Sequence, residues 1–254
     1  MDLDLVFFGT SGSVPTASRA PSALLLRRGG ERLLFDCGEG TQRQMLRSSV
    51  GLIELREVFV SHFHADHYLG LPGMLKTFAL RGREPPVTVY GPPGLKDLFA
   101  TLRRVFGTLT YEVGLVEVRP GEVVARDDYL IRAFGVDHGT QALGYALVES
   151  PRPGRFDVEA ADALGVPPGR ERGQLQHGEP VTLASGETVL PEQVLGLPRR
   201  GRAIALTGDT APAASVVDAA TGADLLVDEE TFCADERDRA AETRHSTAAE
   251  AALA

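Results

Sequence analysis

A chain of 254 residues with 43% hydrophobic content is long enough to bury one large core, and it reads as one domain or a domain carrying an insertion. Its net charge of −9 and pI near 5.2 argue against a protein whose whole surface clings to nucleic acid, an attraction that usually shows as a basic excess. The opening Met1-Asp2-Leu3-Asp4 puts acids where a signal peptide carries basic residues, and no apolar run approaches the roughly 18 residues of a membrane span, so a soluble cytoplasmic protein is expected.

In chain order, Leu3 to Phe8 reads as a short strand running into the turn Gly9-Thr10-Ser11-Gly12-Ser13, and Leu24 to Arg28 with Glu31 to Asp36 flank Gly29-Gly30 as a hairpin. Thr41 to Ser48 looks helical, Val58-Phe59-Val60 is a buried strand, and Leu69 to Leu80 is a helix. A helix from Leu95 to Val105 separates strands Val87 to Tyr90 and Val113 to Arg119. Strands Glu122 to Ala125, Tyr129 to Val136 and Gly144 to Val148 follow, and another from Ala203 ends in Gly208-Asp209-Thr210. More strands than helices predicts a sheet sandwich with helices outside. Between Pro151 and Pro198, where seven of the sixteen prolines fall, no sustained period of either kind exists. This stretch reads as an insertion, an ordered arm in preference to a disordered linker, with turn chemistry from Leu164 to Arg170 and a small hairpin around Ser185-Gly186.

The Val58 to Val60 strand delivers Ser61-His62-Phe63-His64-Ala65-Asp66-His67, which holds half of the six histidines. His62 and His64 project to one side, while Asp66 and His67 can point at a second, neighbouring ion. Imidazole nitrogen and carboxylate oxygen both suit zinc. The C-terminal end of a strand is also where open sheets with helices on their faces place ligands. Cys37 and Cys233 lie far apart without C-x-x-C spacing, which argues against a disulfide framework or a thiolate zinc site, and Cys37 reads as a buried strand residue. Arginine supplies nearly all of the 26 basic residues. Its clusters at Arg27, Arg28 and Arg32 and at Arg199, Arg200 and Arg202 are candidates for phosphate contact, although solvated loop charge is the better reading of each taken alone. His138 in Val136-Asp137-His138-Gly139 and Asp209 each end a strand. Alone they read as turn or cap residues; beside an upstream cluster still short of ligands they read as ligands.

This order of motifs resembles the metallo-β-lactamase superfamily and, within it, the ribonuclease Z family of tRNA 3′-processing endonucleases. The resemblance is carried by Phe8-Gly9-Thr10, the stretch Phe35 to Gln42, and Ser61 to His67 followed by Gly70-Leu71-Pro72-Gly73. Tyr90-Gly91-Pro92, His138-Gly139, Gly208-Asp209-Thr210 and His245-Ser246-Thr247 belong to it as well. The insertion at 151–198 resembles the family's flexible arm, an exosite that grips the tRNA elbow. An α/β fold is implied, a metallo-β-lactamase-type αββα sandwich with an inserted flexible arm: core over 1–150, tRNA-binding arm over 151–198, and the rest of the core, C-terminally incomplete, over 199–254.

The resemblance further implies two zinc ions (Zn2+) per subunit, with Mn2+ as a substitute. His62, His64, His138 and Asp209 would hold one, and Asp66, His67 and the shared Asp209 the other. The implied reaction is hydrolysis of the phosphodiester bond at the 3′ end of precursor tRNA by a metal-bound hydroxide. Asp66 would orient or deprotonate the water, His245 would protonate the departing ribose oxygen, and Glu229 would steer His245. Arg19 and the arm residues Pro167, Pro168, Gly169 and Arg170 are the implied substrate contacts, and a homodimer is implied.

Three departures from the family pattern stand out. Asp228-Glu229-Glu230-Thr231 replaces His-Glu-Ala-Thr, and the loop after Pro15 keeps only Arg19 of the Lys and Arg-Asn linked to avoiding tRNAs that already carry CCA. The sequence also ends at Ala254, inside a helix expected to begin at His245, where the family continues to a strand whose histidine completes the second zinc site. A weaker second zinc is therefore expected. Two other readings remain: a small-molecule ester, thioester or lactone hydrolase of the same superfamily, and an inactive metal- and tRNA-binding fragment.

Overall fold

The computed structural model describes residues 2–52 and 55–254. The elements run β1 (Leu3–Gly9), β2 (Ala23–Arg28), β3 (Glu31–Phe35), α1 (Thr41–Arg47), β4 (Glu57–Phe59), α2 (Ala65–Tyr68), α3 (Gly70–Leu80), β5 (Val87–Gly91), α4 (Leu95–Phe106), β6 (Val113–Glu117), β7 (Val123–Ala125), β8 (Tyr129–Gly135) and β9 (Leu143–Glu149). They continue with α5 (Val158–Ala163), α6 (Arg170–Gln176), β10 (Val181–Thr182), β11 (Thr188–Val189), β12 (Ala203–Leu206), α7 (Ala214–Ala220), β13 (Leu225–Val227), α8 (Arg237–Thr243) and α9 (Ala248–Ala251). Among the described residues no helix is long and apolar enough to cross a membrane.

Six strands form one sheet in the order β1-β2-β3-β4-β5-β6, antiparallel through β1 to β3 and parallel from β3 to β6. The two-residue turn at Gly29-Gly30 joins β2 to β3, with Gly29 at φ 55°, a value a two-residue hairpin turn of this hand demands. Strand β2 is buried on both faces, the pattern expected where a sheet is covered on both sides. On one face Leu25, Val58, Val60 and Val89 meet Met45 of α1, Leu71, Met74, Leu75 and Phe78 of α3, and Leu95 and Phe99 of α4 in a single apolar cluster. On the other, Phe59 stacks between Phe35 and Tyr90, at centroid distances of 5.0 and 4.5 Å, and Tyr145 of β9 packs edge-on against Phe59 at 5.4 Å. The Tyr145 hydroxyl donates to the Val60 carbonyl at 2.8 Å, so this ring keeps its polar end satisfied in the dry layer between the sheets. That second sheet has the order β13-β12-β9-β8-β7, with β12 and β13 parallel.

Close backbone contact assembles the strand ends that carry the polar residues. A Cβ at Gly70 would lie 2.1 Å from the Gly38 carbonyl oxygen, so only glycine lets the start of α3 approach this turn. The Cys37 N–H donates to the His67 carbonyl at 2.8 Å, and the Gly70 N–H to the Cys37 carbonyl at 2.9 Å. These bonds set Asp36, at the end of β3, beside His67.

A second compact unit comprises Ala125–Leu130 and Leu147–Ala203, and the arm expected at 151–198 falls inside it. Instead of turns alone it holds two short helices, one hairpin and a core of Ala161, Val166, Leu175, Val181, Val189 and Val194. Asp157 caps α5 by accepting from the Ala160 N–H at 2.9 Å, and Arg172 reaches the Val166 carbonyl and the Asp162 carboxylate. Its two chain ends run together through the bridges Arg152–Arg199 and Phe156–Leu195 and through Arg202, which holds Glu149 with two nitrogens at 2.7 Å each.

One expected boundary needs correction: His245 does not begin a helix. It lies in a turn after α8, and Thr247 caps α9 two residues later, its hydroxyl accepting from the Glu250 N–H while the Glu250 carboxylate accepts from the Thr247 N–H. The capping pair Thr-x-x-Glu, rather than the histidine, marks the start.

Candidate metal centre

The polar residues sit on turns at strand ends. His62 and His64 follow β4, His67 lies in α2, His138 follows β8, Asp209 follows β12, and His245 follows α8. Gly208 makes the last strand turn possible, because at φ 65° a Cβ would lie 3.1 Å from that of Ser61. Among the described residues these side chains form three groups whose ligand atoms lie within 4.8 Å of one another: His62 with His64 and His138, His62 with His67 and Asp209, and His138 with Asp209 and His245. Asp209 is common to two of them, its Oδ2 lying 3.1 Å from His67 Nε2 and 3.8 Å from His138 Nε2. Asp66 stands at the edge, with Oδ2 3.5 Å from His67 Nε2 and accepting from the Ser13 N–H at 3.0 Å.

The hydrogen-bond chain behind these rings fixes their tautomers. Ser61 donates its one hydroxyl proton to Asp36 Oδ2 at 2.9 Å, so at 3.0 Å from His62 Nδ1 the oxygen must accept and the ring must donate. His62 Nε2 is left with a lone pair, and that buried atom finds no hydrogen-bond partner among the described residues. An unpartnered buried nitrogen costs about 1–3 kcal/mol, which a cation would remove. His67 Nδ1 lies 2.6 Å from Asp36 Oδ2, and His138 Nδ1 donates to the Arg244 carbonyl at 2.9 Å, so both rings turn Nε2 inward. This is the outer support that ligating histidines need.

Charge points the same way. Burial, with His67 as the largest charged contributor, pushes the His62 pKa down to about 2, and burial lowers that of His64 too. Burial works against a charged His67, but the carboxylates of Asp36, Asp209 and Asp66 outweigh it and hold its pKa well above the ordinary value. Burial also opposes ionisation of Asp209, yet His67 and the other imidazoles keep its pKa below the usual carboxylate range. Neutral His62 and His64 facing an ionised Asp209 suit a divalent cation, and His67 would join them by giving up its proton. The fold and these clusters together imply a divalent metal.

Beside that set lies a second device. His245 Nδ1 is 2.7 Å from Glu229 Oε1, a bond that is the main cause of its raised pKa, and the same carboxylate accepts from the Thr210, Thr231 and Ser246 N–H groups. The His245 ring packs edge-on to His138 at 4.8 Å between centroids. His62, His64, His67, His138, Asp209 and the His245–Glu229 pair are therefore gathered in one place, with Asp66 adjoining. Arg19 is exposed in the loop before β2, and Pro167, Pro168, Gly169 and Arg170 are exposed in the separate second unit. Asp36 and Arg244 were missed. A lone aspartate after a strand carries no spacing signal, because its partner His67 is 31 residues away, and the Arg244 contact is made by a backbone carbonyl that no side-chain motif records.

Comparison with known proteins places this geometry. Residues 18–251 match the family described as the Metallo-beta-lactamase superfamily. A protein named Ribonuclease Z from Methanosarcina acetivorans is 49% identical over 98% of this chain and 82% of its own, and another of that name from Myxococcus xanthus is 51% identical over 98% and 81%. The crystal structure of the short form of human tRNase Z superposes with a TM-score of 0.72 at 26% identity, covering 98% of this chain and 86% of that one. With ligand-bearing turns, fold and end-to-end sequence in agreement, the chain belongs to the metallo-β-lactamase superfamily and, within it, to the ribonuclease Z family.

Proposed function

We propose that the chain is a metal-dependent endoribonuclease that hydrolyses the phosphodiester bond at the 3′ end of tRNA precursors. Family membership supports the reaction class, and one observation carries the residue assignment. The ligand atoms of His62 gather within 4.8 Å both with those of His64 and His138 and with those of His67 and Asp209, and Asp209 recurs in a group with His138 and His245, which Glu229 holds at 2.7 Å.

In this reading two zinc ions are held, with manganese as a substitute: one by His62 Nε2, His64 Nδ1, His138 Nε2 and Asp209, the other by Asp66, His67 Nε2 and the shared Asp209. When bound, such a pair acidifies water and neutralises charge that develops on the phosphate. Asp66, anchored by the Ser13 N–H, orients the attacking water and takes its proton. His245 donates a proton from Nε2 to the departing ribose oxygen, while Glu229 holds Nδ1 and favours the protonated ring. In this reading 1–150 and 199–254 form the core and 151–198 is an inserted arm, and its exposed residues Pro167, Pro168, Gly169 and Arg170 contact the tRNA together with the exposed Arg19. A homodimer working in the cytoplasm completes the proposal.

The test is incubation of the purified chain with a 3′-extended tRNA precursor and zinc or manganese, mapping the fragment ends. Asp66→Ala should abolish cleavage and leave tRNA binding largely intact; unchanged turnover would discard the role given to Asp66. Deleting 151–198 should weaken tRNA cleavage and spare a small phosphodiester, whereas equal loss on both counts against an RNA-binding arm. Light scattering of the purified chain decides the dimer.

A further inference from the structure

We propose that Arg244 is a positioning residue that ties His138 to His245 by clamping the turn Asp137-His138-Gly139. This inference rests on reading His138 as a metal ligand and His245 as the proton donor.

Arg244 closes α8 in the left-handed region, at φ 59° and ψ 50°, where helix ends usually place glycine or asparagine. A long side chain is retained there, and it grips the turn in three ways. Its Nη1 lies 2.6 Å from Asp137 Oδ1. Its stem lies over Gly139, where a Cβ would stand 3.6 Å from Arg244 Cγ. Its backbone carbonyl accepts the His138 Nδ1 proton at 2.9 Å, which leaves Nε2 of that ring bare and facing His64 Nδ1 at 3.0 Å.

The same left-handed turn returns the His245 N–H to the Ala240 carbonyl at 2.9 Å and brings the two rings edge to face. Asp137 is itself fixed, since its N–H donates to Thr210 Oγ1 at 3.1 Å and its carbonyl accepts from the Ala211 N–H at 2.8 Å. The ion pair thus fastens the end of α8 to the two strand-end turns that carry His138 and Asp209. With side chains 54% and 45% exposed it adds little to overall stability, so its effect is read at the ring it orients.

Arg244→Asn tests this, because asparagine tolerates the left-handed backbone while removing the guanidinium. Competition against a chromophoric chelator should show zinc binding weakened about tenfold, the lower end of what loss of an outer partner does. In the zinc-free protein the nitrogen-bound proton of His138 Nδ1 should lose its protection from exchange by NMR, while the thermal midpoint in excess EDTA barely moves. The charge-reversed double variant Asp137→Arg with Arg244→Asp should recover most of the lost affinity. Zinc binding at the parent level with a protected Nδ1 proton would overturn the proposal, as would a double variant no better than the single. A parent protein that binds no zinc would instead sink the metal reading on which the proposal rests.

Discussion

Replacing Asp36 by asparagine should weaken metal binding as well as folding, by two separately measurable routes. Asp36 Oδ1 accepts from the Ser61 N–H at 2.8 Å, and Oδ2 accepts from the Ser61 hydroxyl at 2.9 Å, the Ser22 hydroxyl at 3.3 Å and His67 Nδ1 at 2.6 Å. Asparagine has nearly the same shape and tolerates the φ of 57° found here, so the backbone need not move. With its oxygen kept on the Ser61 N–H, its NH2 group faces the two hydroxyls and the imidazole. The hydroxyls can rotate to accept, but His67 Nδ1 can accept only if the ring loses its Nδ1 proton and keeps the one on Nε2, the atom that faces Asp209 at 3.1 Å. That proton then stands where an ion would bind. Loss of an outer partner weakens metal binding by about 10–100-fold, or about 1.4–2.7 kcal/mol. The lost charge-assisted bond costs folding about 1.5–3 kcal/mol, which for a chain of this size lowers Tm by about 3–12 °C. Chelator competition for zinc and a melt in EDTA measure the two separately. A reduced Tm with unaltered zinc affinity would refute the tautomer argument and leave Asp36 a purely structural residue.

Other expected outcomes are as direct. His245→Ala should lower single-turnover cleavage of a 3′-extended tRNA by about 10²–10⁴-fold with zinc content unchanged, and loss of zinc would make it a ligand instead. Zinc binding at neutral pH should release about one proton from His67, since its raised pKa keeps the metal-free ring protonated. Calorimetry in two buffers of different ionisation enthalpy reads this, and an absence of proton release contradicts it. The sign for the zinc-free protein follows: His67 stabilises the fold fully below its unfolded pKa of about 6.5, and that contribution fades as pH rises through the elevated folded value. Leu175→Ala, at a fully buried position in the second unit, should cost that unit about 2–5 kcal/mol. Proteolysis within 151–198 should then quicken and tRNA binding weaken, with hydrolysis of a small phosphodiester unaffected; a slowed small substrate would show that the damage spreads to the core.

The elements legible in the sequence were those with a strong period or a clean turn. Leu25, Leu34, Val58 and Val89 lie in continuous apolar runs, Gly29-Gly30 announces its hairpin, and α4 alternates Leu95 and Phe99 with Lys96, Asp97 and Arg103. The helices that escaped are short and weakly patterned. In α7 the run Ala214 to Ala220 offers Val216 as its buried residue, α8 buries Ala240 among charges, and α6 buries Leu175 alone. Such helices form because neighbours supply a surface, and that surface is a tertiary property. The candidate site divides likewise. His62, His64 and His67 advertise themselves by density, while His138 and Asp209 become legible only beside them. Asp36 and Arg244 act by hydrogen bonds to distant rings, and only coordinates reveal such bonds.

The proposed donors are strewn from His62 to Asp209, and this has a bearing on biosynthesis. A nascent polypeptide emerging from the ribosome displays its first three imidazoles well before the remaining partners have been translated. An incomplete set like that grips cations loosely and without geometric discrimination. Selection among competing ions therefore falls to the finished protein, so the element it acquires reflects what the surroundings supply once translation ends.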